Sequence, residues 1–131
     1  MTTLDEVLSG AVEPGVHPLD DTTDAFDVDE QVGRRGWQAF HLDGASIVDK
    51  ESFLKAIAAA CRFPAWFGHN WDALTDALTD LSWAPASGYV LLYDGHDGYR
   101  LHPDWDTVLE IFREVSARWA EAGTPFSVLL R

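Results

Sequence analysis

A chain of 131 residues, nearly half of them apolar, is long enough to bury one core, and its net charge of -13 disfavours a grip on bare nucleic acid. Its single cysteine, Cys61, excludes an intrachain disulfide and fits a reducing compartment. No apolar run approaches a membrane span and no basic, apolar leader follows Met1, so a cytoplasmic protein without membrane contact is expected.

The charge is unevenly spread. Residues 1–30 hold nine acids and no Lys or Arg, whereas the other 101 residues hold thirteen acids and nine bases. Residues 1–35 also carry Gly10, Pro14, Gly15, Pro18 and Gly33, which break regular structure. They are expected to form an acidic, partly ordered N-terminal extension, for which solubility is the simplest role. Within it Leu4, Val7 and Leu8 fit one helical turn, and Ala25-Phe26-Asp27-Val28 alternates like a short strand able to pair with a sheet edge.

Residues 36–131 read as one domain. Residues 36–42 alternate as a first strand, with His41 on it as a packed histidine, and Asp43-Gly44 makes a turn. Asp49 fits the N-cap of a helix over 50–61 that buries Phe53, Leu54, Ile57 and Ala58. Pro64 ends it. A tight aromatic loop with Trp66, Phe67 and Gly68 leads to Asn70, whose side-chain oxygen can accept from the first turn of a helix over 71–82. The apolar run 89–93 reads as a strand covered on both faces. Residues 94–103 read as a Gly-containing loop, 104–122 as a long helix ended by Gly123, and 126–130 as the last strand. Strands separated by helices favour a parallel sheet.

The helix over 71–82 carries the most informative pattern. Trp71, Leu74, Leu78 and Leu81 recur at helical spacing and belong to a buried face, while Asp72, Asp76 and Asp80 recur at every fourth position on another. No Lys or Arg occurs between Arg62 and Arg100 to neutralise them. Such a stripe is suited to a positively charged partner. Trp66 and Phe67 flank it, and Trp66 is expected outside as an anchor with Phe67 inside. No nucleophile elbow, phosphate loop or dinucleotide fingerprint is present, and Asp94-Gly-His-Asp-Gly lacks the ligand alternation of a calcium loop.

This stretch resembles the barstar family of intracellular ribonuclease inhibitors. The resemblance rests on Pro64, the aromatics Trp66 and Phe67, Gly68, Asn70, Asp72-Ala73-Leu74, Asp76 and Leu78. A second patch from Val108 to Leu130, with Phe112-Arg113-Glu114 and Ala122-Gly123, is similar to the family's last helix and strand. The resemblance spans residues 36–131 and implies an α/β fold with a small three-stranded parallel sheet and helices packed against it. It implies no catalytic residue, metal or cofactor. The implied partner-binding set is Trp66, Gly68, His69, Asn70, Asp72, Thr75, Asp76, Thr79, Asp80 and Glu114. Within it Asp76 sits where the family's key aspartate takes the place of the substrate phosphate, and Asp72 and Glu114 pair with flanking basic groups.

The implied partner is a small secreted guanyl-specific ribonuclease, bound by a monomer as a 1:1 heterodimer and with no nucleic acid. Three departures leave its identity open. Thr75 stands where barstar itself has Trp, Trp66 replaces Tyr, and Asp80 stands where barstar has Gly. A barstar-like antitoxin or immunity protein against a different toxin or nuclease is therefore a second reading. A third is an enzyme using Asp72, Asp76 and a nearby histidine, which would need a concave pocket around those groups.

Overall fold

Tyr89-Val90-Leu91-Leu92-Tyr93 has no polar face, so a strand made of it must be covered on both sides. The computed structural model, which describes residues 1–20 and 22–131, meets that demand with helices on both faces of a parallel sheet. The strands are β1 (Val16–Pro18), β2 (Gln38–Asp43), β3 (Tyr89–Asp94) and β4 (Phe126–Leu130), in the order β1-β4-β3-β2. All three pairings are parallel, with Leu91 opposite Phe40 on one side and Val128 on the other.

The helices are α1 (Leu4–Ser9), α2 (Ala25–Arg34), α3 (Lys50–Ala60), α4 (Trp71–Asp80), α5 (Asp97–Arg100) and α6 (Trp105–Glu121), with a 3-10 turn at Gly44–Ser46. Side chains alternate across the sheet. Tyr89, Leu91 and Tyr93 join Phe40, Phe126 and Val128 in a core with Phe53, Leu74, Leu78 and Phe112 from α3, α4 and α6. Val90, Leu92 and Leu129 point the other way, into a second core with Leu4, Val7, Leu8, Leu19, Val28 and Val32.

The structure corrects three readings of the sequence. The sheet has four strands rather than three, because Val16–Pro18 adds to the β4 edge, with Val16 opposite Val128. Residues 25–28 are the start of α2 and not a strand. Asp24 caps the helix by accepting from Phe26 N at 2.8 Å, and Val28 and Val32, one turn apart, are its buried residues. Four alternating residues are too few to separate the two periods, and the helical register leaves Phe26 exposed. Residues 94–103 contain the short helix α5, whose Tyr99 is fully buried and stacks on Phe53 at 5.5 Å.

The layer made by residues 1–35 is fastened at the C-terminal ends of the strands. Arg131 donates through Nε and Nη2 to the two carboxylate oxygens of Asp94, at 2.9 and 2.8 Å, and through Nη1 to the Thr23 carbonyl. His41, expected to be packed, is instead exposed and sits 3.4 Å from Asp94. The guanidinium, and to a lesser degree His41, hold the Asp94 carboxyl below its ordinary pKa, against a smaller opposing effect of burial. A depressed carboxylate contributes stability above the ordinary range, and that contribution is lost as pH falls through its folded value. Arg131→Met is expected to cost on the order of 1–2 kcal/mol at neutral pH in urea denaturation. The loss of stability below about pH 4 should be shallower in Asp94→Asn than in the parent protein.

Candidate functional site

The loop between α3 and α4 is shaped by local bonds. Trp83 Nε1 donates to the Cys61 carbonyl at 3.0 Å, and Phe67 N closes a turn on the Pro64 carbonyl at 3.1 Å. Phe63 and Phe67 pack together with ring centroids 4.8 Å apart. Phe67 is 5% exposed, while Trp66, one residue earlier in the turn, is 56% exposed. Gly68 is exposed, and His69 follows with φ of 53° and its Nδ1 3.2 Å from the Phe67 carbonyl. Cys61 itself is fully buried, and the apolar surroundings push its thiol pKa up, away from thiolate chemistry.

Asn70 starts α4. Its Oδ1 accepts from Ala73 N at 2.7 Å, satisfying one of the free donors of the first turn. Leu74, Ala77 and Leu78 are buried beneath the helix, and Trp119 Nε1 donates to the Leu78 carbonyl at 2.8 Å, tying α6 to α4. Asp72, Asp76 and Asp80 are all exposed. Asp72 lies in the first turn, where the helix dipole favours its charge. Thr75 and Thr79 are half-buried and donate back into the helix, to the Trp71 and Thr75 carbonyls at 3.4 and 2.7 Å. Asp80 accepts from Ser82 Oγ at 3.2 Å. Leu81, with φ of 47°, turns the chain away while its side chain stays buried.

Among the described residues no Lys or Arg forms an ion pair with Asp72, Asp76 or Asp80. Glu114 on α6 is exposed and lies 3.5 Å from Arg118, one turn along the same helix. Between α4 and α6 runs an open cleft of about 300 Å³ lined by Trp71, Asp72, Thr75, Thr107, Glu110, Ile111 and Glu114. The fold thus brings Asp72, Thr75 and Glu114 together. Asp76, Thr79 and Asp80 continue along α4 outside the cleft. Trp66, Gly68 and Asn70 belong to its approach loop, and His69 borders a separate cleft of about 270 Å³ with Lys50, Glu51 and Leu54.

Glu110 is a cleft residue that the sequence reading missed. It lies one turn before Glu114, and that four-residue spacing is the signal that could have found it. The cleft lining contains three carboxylates, two hydroxyls and two apolar side chains, but neither histidine nor cysteine. It can accept hydrogen bonds from a cationic group, and it offers no histidine base beside Asp72. Among the described residues, no group of three or more His, Cys, Asp or Glu is arranged to hold a metal ion, and no helix is long and apolar enough to cross a membrane.

A family model described as Barstar (barnase inhibitor) matches residues 37–131. No curated protein matches the chain. The match begins one residue before β2 and covers both helices that wall the cleft. Because Asn70 holds both the loop and the first turn of α4, Asn70→Ala is expected to lower stability by roughly 1 kcal/mol. Thermal unfolding followed by far-UV circular dichroism measures this.

Proposed function

The chain belongs to the barstar family, and from that premise we propose that it inhibits a small secreted guanyl-specific ribonuclease by occupying its basic active-site cleft. One observation carries this reading: the exposed row Asp72, Asp76 and Asp80 has no cation of its own chain paired to it among the described residues. A ribonuclease holds a phosphate with Arg and His donors, and carboxylates fixed on a helix accept the same charge-assisted hydrogen bonds. Asp76 takes the place of the scissile phosphate. Asp72 and Glu114 meet flanking bases across the α4–α6 cleft, and Trp66 covers the edge.

No bond is made or broken in this role, so it needs neither catalytic group nor cofactor. The complex is a 1:1 heterodimer, formed in the cytoplasm of the producing bacterium before the enzyme is exported. A second reading, an antitoxin or immunity protein for a different toxin or nuclease, is favoured by Thr75 and Asp80. Thr75 offers a short side chain where barstar has Trp, and Asp80 adds a carboxylate at the end of α4. Co-purification with secreted nucleases of the same organism separates the two readings.

Asp76→Ala is expected to weaken inhibition about thirtyfold or more, the loss of a hot-spot residue. Asp97→Ala, which removes an exposed carboxylate on α5, should change it little. Equal effects in a titration of ribonuclease activity would contradict the assignment. Association is expected to slow as salt rises from about 0.05 to 0.5 M, because screening shortens the reach of the acidic face. Stopped-flow mixing reads that rate.

A further inference from the structure

Trp66 presents a large apolar ring to solvent from the middle of a turn, 56% exposed. A ring with so little of its surface covered is free to change rotamer unless a neighbour restrains it. The ring contact the structure gives it is Trp83, edge to face, with centroids 5.9 Å apart and planes at 74°. Trp83 follows α4 in the chain, far from the turn in sequence, and is itself held on two sides. Its Nε1 donates to the Cys61 carbonyl at 3.0 Å, and its ring meets Phe63 at 5.9 Å and 83°. Cys61 is fully buried at the end of α3, so this bond ties Trp83 to a fixed part of the core.

We infer that Trp83 is a positioning residue for partner binding, one that holds the Trp66 ring in its bound orientation before the partner arrives. The inference rests on the reading of Trp66 as a partner anchor given above. The physical basis is preorganisation: a side chain ordered in the free protein loses less conformational entropy on association. Edge-to-face aromatic contact supplies the restraint, and the indole hydrogen bond fixes the residue that restrains. Trp83 need not touch the partner. Its contribution should appear in how long the complex lasts, since changes within one interface act mostly on dissociation.

The test uses Trp83→Leu and Trp83→Phe, each also combined with Trp66→Ala. Trp83→Phe keeps a ring against Phe63 while losing the bond to Cys61, which guards against a leucine variant that folds poorly. In the free protein, the nitrogen-15 order parameter of the Trp66 indole is expected to fall in both variants while backbone order parameters of α4 stay unchanged. An unchanged Trp66 indole in a folded variant overturns the inference. With barnase as the probe, both Trp83 variants are expected to dissociate about three- to tenfold faster in the parent background and at an unchanged rate in the Trp66→Ala background. Equal acceleration in both backgrounds would mean a general structural role and overturn the inference. If the parent protein leaves barnase fully active, it is the choice of ribonuclease that fails, and the indole measurement still decides whether Trp83 orders Trp66.

Discussion

A strand with apolar side chains on both faces cannot face water on either, and this constraint on β3 organises the molecule. Leu91 and Tyr93 need α3, α4 and α6; Val90 and Leu92 need the layer built by residues 1–35. Covering the first face places α4 on the surface with one side sunk into the core and the other side free. Covering the second recruits a stretch whose composition, rich in acids and breakers, reads as loosely attached. The same segment supplies Leu4, Val7, Leu8, Leu19, Val28 and Val32 to a buried cluster and a strand to the sheet edge.

The exposed face of α4 and its approach loop are held by bonds that end elsewhere. Asn70 fixes the first turn of α4, Trp119 reaches from α6 to the Leu78 carbonyl, and Phe67 plugs the loop into the core. The threonines between the aspartates spend their hydroxyls on the helix itself, at Trp71 and Thr75. What is left pointing outward is mainly carboxylate. Lys50 approaches from α3, but its ammonium lies over the Trp71 ring at 5.0 Å. Trp71 lines the cleft where Asp72, Glu110 and Glu114 gather, whereas Lys50 does not.

Much of this was legible in the sequence because local signals agreed with the tertiary demand. Asp49 and Asn70 cap the helices their positions indicate, and the periodicity of Leu74 and Leu78 gives the buried side of α4. The failures have physical causes. Residues 25–28 alternate for only four positions, so the helix showed only in the spacing from Val28 to Val32. The three residues of β1 are defined by their partner strand and not by their own pattern, with His17 and Pro18 among them. His41 sits exposed beside Asp94, which also holds Arg131, an arrangement that joins three distant parts of the chain. Glu110 shares a side of α6 with Glu114 by its four-residue spacing, but that this side lines a cleft with α4 is set by the packing of the two helices.

The sheet divides the molecule into a front that carries α4 and a back that carries α1 and α2. Asp5 and Glu6 on α1 and Asp27, Asp29 and Glu30 on α2 belong to the back layer, so the far side of the protein carries negative charge as well. Under the proposed function, a basic partner would be attracted to both faces, and many first collisions would land on the wrong hemisphere. Capture would then be a search over orientations: long-range attraction would keep the partner close while it rolls around the globe, and the shape of the front would decide where it stops.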